Sequence, residues 1–112
     1  MKKLLLTLIF IFIPLVCHGA VVSWTANTES DLAGYRLYTS SSSGNYTFGE
    51  GNEIAAAVAN DTSLTITNIP DGGMFYVLTA FDLGDNESSP SDEFYYDPPP
   101  EQVKQITVIF SQ

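Results

Sequence analysis

Histidine and cysteine carry most side-chain chemistry near neutral pH, and this chain has one of each, side by side at Cys17 and His18. Both sit behind Lys2, Lys3 and an apolar run over residues 4–16, broken only by Thr7 and Pro14. A charged start, a short apolar centre and a small residue at Gly19 have the form of a secretory leader, so residues 1–19 are expected to be removed. Cleavage after Ala20 is the alternative. Cys17 raises the question of a lipid anchor, but Val16 stands where such a signal wants a small residue, so the cysteine is expected to leave with the leader. What remains then has no thiol and no imidazole, hence no conventional triad, no thiol nucleophile and no zinc site of the common kinds.

Carboxylates are the chemistry left. Asp82, Asp85, Glu87 and Asp92 fall within eleven residues, and calcium takes six to eight oxygen ligands. Their spacing lacks the alternating order and terminal glutamate of a dedicated calcium loop. Local capping, with Asp and Asn bonded to nearby backbone, is the expected role. Two carboxylates can also run glycoside hydrolysis. Nothing in the pattern sets a pair in a cleft, so no catalytic residue, no cofactor and no metal ligand is assigned, and the protein is read as not an enzyme.

The acidic balance excludes other partners. The whole chain carries a formal charge of −9. Losing Lys2 and Lys3 with the leader leaves Arg36 and Lys104 against 13 acidic residues, a net −11 that repels nucleic acid and anionic lipid surfaces. About 93 residues remain, one domain by size and near the lower limit for a self-sufficient core.

The elements that must position these groups are short and alternating. Residues 21–24 read as a strand with Val22 and Trp24 inward, and Leu32, Tyr35 and Leu37 carry the next. Residues 46–48 resume a strand pattern after the polar loop 39–45. Residues 54–59 are alanine-rich, but a six-residue helix without amphipathic support is marginal, so strand or extended edge is expected. Residues 64–67 alternate apolar and threonine, Pro70, Gly72 and Gly73 suit a reversal, and Met74, Tyr76, Leu78 and Ala80 share one face. Residues 93–96 make the last strand. The expected core is Val22, Trp24, Leu32, Tyr35, Leu37, Leu64, Ile66, Met74, Tyr76, Leu78 and Ala80. Asn45, Asn60 and Asn86 each open a glycosylation-like triplet and are read as turns.

Four separated motifs now stand in order: Ser23-Trp24, then Asp31-Leu32-Ala33-Gly34-Tyr35-Arg36-Leu37-Tyr38, then Ala80-x-Asp82, then Asn86-Glu87-Ser88. Over roughly residues 21–96 the chain resembles the fibronectin type III module in the form found among secreted bacterial proteins. The resemblance implies an all-β, immunoglobulin-like sandwich of two antiparallel sheets over residues 20–97, and a role as a module. It implies no particular ligand. In the family residues 21–24 correspond to the second strand, and the leader leaves no room for a first. Met74 stands where the family usually has an inward tyrosine, which removes the usual corner hydrogen bond; Tyr76 is the possible substitute.

Residues 98–112 form a proline stub and a final apolar segment, with Ile106, Val108 and Phe110 on one face and Val103 and Ile109 adding to it. This pattern resembles the start of a further module of the family, and a strand is expected there. It can lie parallel to the Trp24 strand, hairpin beside residues 94–96, or enter a neighbouring molecule. The expected function is therefore a secreted, periplasmic or cell-surface binding module that meets an unidentified protein or carbohydrate through the loop 39–45 or through Tyr38, Tyr46, Tyr95 and Tyr96. The alternative is an assembly subunit whose final strand completes a neighbour's sheet, giving a head-to-tail oligomer instead of a monomer.

Overall fold

The computed structural model describes residues 19–110; the expected leader, with Cys17 and His18, lies outside them except for Gly19. Turn residues cut the chain into short alternating runs, and six strands form: β1 (Ala20–Ser23), β2 (Leu32–Ser40), β3 (Ala55–Val58), β4 (Ser63–Ile66), β5 (Met74–Asp82) and β6 (Phe94–Tyr96). They make two sheets, β1–β4 and β3–β2–β5–β6, antiparallel throughout. The expected all-β, immunoglobulin-like sandwich is the observed class.

β2 and β5 are the spine. Tyr35 lies opposite Ala80, Leu37 opposite Leu78 and Thr39 opposite Tyr76, and because strand side chains alternate, these residues share the inner face. Leu37, Ile66, Ile69 and Tyr76 form the buried centre, with Val22, Leu64, Met74 and Leu78 packed against it from both sheets. Tyr35 is buried, while Trp24 is half-buried with its ring 4.9 Å from that of Tyr35. Leu32 and Ala80 are half-buried as well. Ile69 belongs to the core although its Ile-Pro context reads as a turn. Asn68, at a left-handed φ of 56°, reverses the backbone just before it, a conformation asparagine tolerates better than most residues.

One glycine is required by close packing. A side chain at Gly34 would drive into the carbonyl oxygen of Ala57 and meet the Phe81 ring at 3.2 Å, so β3 can approach β2 here only because position 34 has no Cβ. The β2–β5 register also shifts between Leu32 and Gly34, which bends the start of β2.

Two expected strands are not formed. Residues 46–48 pair with no sheet; Phe48 instead lays its ring 5.0 Å from that of Tyr38, and Tyr46 sits 5.9 Å from Phe48. The segment is held by side chains on a strand, and its backbone joins no ladder. Residues 97–110 likewise contain no strand, and among the described residues neither β1 nor β6 gains a second partner from them. Three consecutive prolines lack the N–H groups that a ladder needs and favour a straight, extended course. Among the described residues no helix is long and apolar enough to cross a membrane.

Candidate interaction surface

The outer face of the four-stranded sheet carries the alternate residues of the same strands. Register puts Ser40, Phe75 and Tyr95 in one row, Tyr38 beside Val77 in the next, and Ala56, Arg36 and Thr79 in the third. Such a face would ordinarily be open to water. Here Tyr38 is 1 % exposed, and Arg36, Val77 and Thr79 are buried too, because residues 46–53 and 83–93 fold back over the sheet.

Glu87 is the centre of that cover. Its carboxylate accepts from Arg36 Nη1 at 3.0 Å, from Thr79 Oγ1 at 2.5 Å and from the Tyr38 hydroxyl. Arg36 also donates to Asp85 at 2.8 Å and lies over the Phe81 ring at 4.0 Å. Burial opposes ionisation of Glu87, but the bonds from Thr79, Tyr38 and Arg36 outweigh it and hold the carboxyl below the usual range. The bond to Asp85, with the bond and charge of Glu87, pushes the Arg36 guanidinium above its usual range despite its burial. Burial, reinforced by Glu87, pushes the Tyr38 phenol up. A carboxylate that already accepts three donors is a poor general base, and its role is to hold two loops to the sheet.

The neighbouring carboxylates are spent in the same way. Asp82 Oδ1 accepts from the backbone N–H groups of Gly84 and Asn86, each at 2.9 Å, and Asn86 Nδ2 reaches both Asp82 oxygens. The Asn86 bonds lead in holding the Asp82 carboxyl below its usual range. Asp85, at a φ of 62°, completes this turn. Asp82 takes the local capping role expected for the acidic loop, whereas Asp85 and Glu87 pair with Arg36, about fifty positions earlier in the chain. Asp92 is exposed and does not join the cluster. Among the described residues no group of three or more His, Cys, Asp or Glu side chains could hold a metal ion. A shallow hollow of about 230 Å³ beside this turn is rimmed by Glu29, Asp31 and Asp82.

The expected contact residues divide. Neither Tyr38 nor Tyr96 offers a surface: Tyr38 lies on the outer face but is covered by Phe48, Gly49 and Glu87 of the returning loops, and Tyr96 turns inward against the core. Tyr46 is half-buried and donates to Glu93 at 2.7 Å. Tyr95 is 52 % exposed, lies with its ring tilted 4.9 Å from that of Phe75 and donates to the Gly72 carbonyl. Gly73, at a φ of 80°, makes room for it: a Cβ there would come within 2.6 Å of the Tyr95 hydroxyl. The serine-rich loop is exposed but anchored. Ser43 Oγ donates to Glu93 at 2.5 Å and the Gly44 N–H at 2.8 Å, while Ser42 N–H bonds Ser40 Oγ at 3.1 Å. Ser43, then Tyr46 and Gly44, hold the Glu93 carboxyl below its usual range.

Sequence reasoning missed Arg36 and Glu93 as organisers of this surface. Arg36 had a signal: it is one of only two cations beyond Lys3 and alternates with inward residues on β2. Glu93 had none, since its partners lie about fifty positions away.

No protein-family model matches the chain, and no curated protein matches it either. A solved structure does: the spore cortex lytic enzyme SleM of Clostridium perfringens, with a TM-score of 0.54 and 25 % identity over 71 % of this chain. The match takes in 24 % of the enzyme, so this chain corresponds to about a quarter of that protein's length.

Proposed function

We propose that the protein is a non-catalytic interaction module of the fibronectin type III class, exported to the periplasm, the cell surface or the medium, and that it binds through the loop 41–45 together with Tyr95. The observation that carries this reading is a clamped polar loop next to an exposed tyrosine, Tyr95, backed by the half-buried Phe75. Register places Ser40 in one row with Phe75 and Tyr95, and Glu93, just ahead of β6, holds Ser43 and Gly44. Such a surface loses little conformational freedom on binding, and a tyrosine ring with free hydroxyls beside it suits sugars or polar peptide segments. The strand order β3–β2–β5–β6 over β1–β4 supports the family reading, as does the likeness to one quarter of a lytic enzyme. By that likeness the partner belongs to the cell envelope, with a wall glycan first and a surface protein second.

Co-sedimentation with purified cell-wall glycan tests this directly. The wild-type chain should pellet with the polymer, and Tyr95→Ala should remain in solution while keeping its circular dichroism spectrum. Equal pelleting of both would remove Tyr95 from the surface; no binding by either would remove the glycan.

A further inference from the structure

We propose that residues 102–110 of one molecule form an edge strand beside β1 in the β1–β4 sheet of a second copy, so that the protein assembles head to tail.

The acceptor is the free side of β1. The Trp24 N–H bonds the Thr62 carbonyl at 2.9 Å, which continues the β1–β4 register of Val22 opposite Leu64 and Ala20 opposite Ile66. In an antiparallel pair the bonded residues alternate. Val21 and Ser23 therefore turn their N–H and C=O groups away from β4, toward the open edge. Beside that edge runs a groove of about 320 Å³, floored by Ile66, Phe94 and Tyr96, where the gap between the two sheets is uncovered. Val21 is 68 % exposed on the outer side. A sheet edge with bare backbone and an apolar flank is the feature natural proteins cover.

The donor is on the same chain. Val103, Ile106, Val108, Ile109 and Phe110 are 70–89 % exposed, and nothing in their own molecule covers them. As a strand, this segment would set Ile106, Val108 and Phe110 on one face, matching the groove, and Thr107 and Ile109 on the other, beside Val21.

Direction selects a second copy as the occupant. β6 runs parallel to β2 through their shared partner β5, whereas β1 runs opposite to β2: Trp24, just past the end of β1, lies beside Tyr35 near the start of β2, and Val22 packs against the cluster that holds Leu37. A strand antiparallel to β1 must therefore start at the end of the sandwich where β6 starts. The tail leaves from the other end, and Pro98 to Pro100 carry it onward about 9 Å in a straight course. A strand of five or six residues spans about 17–20 Å, so the stub cannot bring the tail back. Continuing outward, the tail arrives at the next molecule in the required sense. Donor and acceptor are different surfaces, so the contact is heterologous and builds rings or filaments. Each copy carries a large negative charge once the leader is lost, so added salt should promote the assembly.

Two variants of the full chain as processed by its host separate the partners. Ile106→Lys/Val108→Lys blocks the donor, at positions already exposed in the monomer. Val21→Pro blocks the acceptor by removing an N–H that bonds no described residue of its own molecule. By analytical ultracentrifugation the wild type should grow in mass with concentration and with salt. Each variant alone should stay monomeric with an unchanged melting temperature, and an equimolar mixture should give a dimer that grows no further. A wild type that is monomeric at every concentration overturns the proposal. So does a mixture that stays monomeric; so does a donor variant that still dimerises alone, which would point to β1 pairing with β1; and so does a melting temperature lowered by the donor variant with no change of mass, which would place the strand within the chain.

Discussion

The two faces of the four-stranded sheet are built by different means from the same strands. On the inner face Leu37, Tyr76 and Leu78 meet Ile66 and Val22, and apolar area removed from water supplies the stabilisation at about 25 cal/mol per Å². On the outer face Arg36, Tyr38 and Thr79 are equally buried, yet what closes over them is a carboxylate and two loops. The inner face tolerates any well-shaped apolar residue; the outer face depends on each donor finding its acceptor. Burial alone does not identify a core, and the two kinds of burial should fail differently.

Removing Leu37 tests the first kind. Its side chain is fully enclosed, so Leu37→Ala should cost about 2–5 kcal/mol, a large part of the stability of a domain this size. The urea midpoint checks it, and an unchanged midpoint would contradict the inner-core assignment. Removing Arg36 tests the second. Arg36→Ala leaves Glu87 buried against two hydroxyls without its cation and should cost about 2–4 kcal/mol, the partial exposure of both carboxylates having been allowed for. The sharper form adds Glu87→Gln to Arg36→Met. If unpaired charge is the cause, the double variant should recover part of the loss; if Arg36 matters only for filling space, it should recover none.

Acid and alkali should separate the faces without mutation. Glu87 titrates below its ordinary value of 4.5, so its contribution is complete above that pH and is lost as pH falls through the lowered folded value. Tyr38 titrates above 10.0, so its contribution is complete below that pH and is lost as pH rises through the raised folded value. Stability should be flat from about pH 5 to 10 and fall on both sides. Glu87→Gln should shallow the acid limb, and Tyr38→Phe the alkaline one. Leu37→Val should lower the whole curve without changing its shape, and a change of shape would mean the faces are not independent. The smallest effect belongs to the rim. Tyr46→Phe deletes one hydrogen bond to Glu93 and should cost about 1 kcal/mol by thermal melting.

Alternation made the inner face readable. Val22, Tyr35, Leu37, Leu64, Ile66, Met74, Tyr76 and Leu78 follow period two in runs bounded by turn residues, and only one packing of such runs hides them. The same rule concealed the outer face, because it assigns every opposite residue to solvent. Tyr38 looked exposed for that reason. Whether a loop returns to cover a face depends on where two segments fifty residues apart come to rest, and no local pattern carries that. Phe48 shows the reverse error: its spacing from Tyr46 is that of a strand, but the neighbour it found was a ring and not a ladder.

By itself the sequence determined the fold class, and it marked the six strands, along with two that do not form, and most of the inner core apart from Ile69, because hydrophobic periodicity and turn chemistry are local properties and each run encodes its own. It also bounded the chemistry, since residue types present and absent do not depend on conformation. Only the tertiary structure decided that the acidic loop closes on Arg36, that Tyr95 and the 41–45 loop share a surface, and that β1 presents a bare edge while an apolar tail stands uncovered. Those are relations between distant segments, and they come into being only when β2 and β5 pair and set the register for everything laid across them.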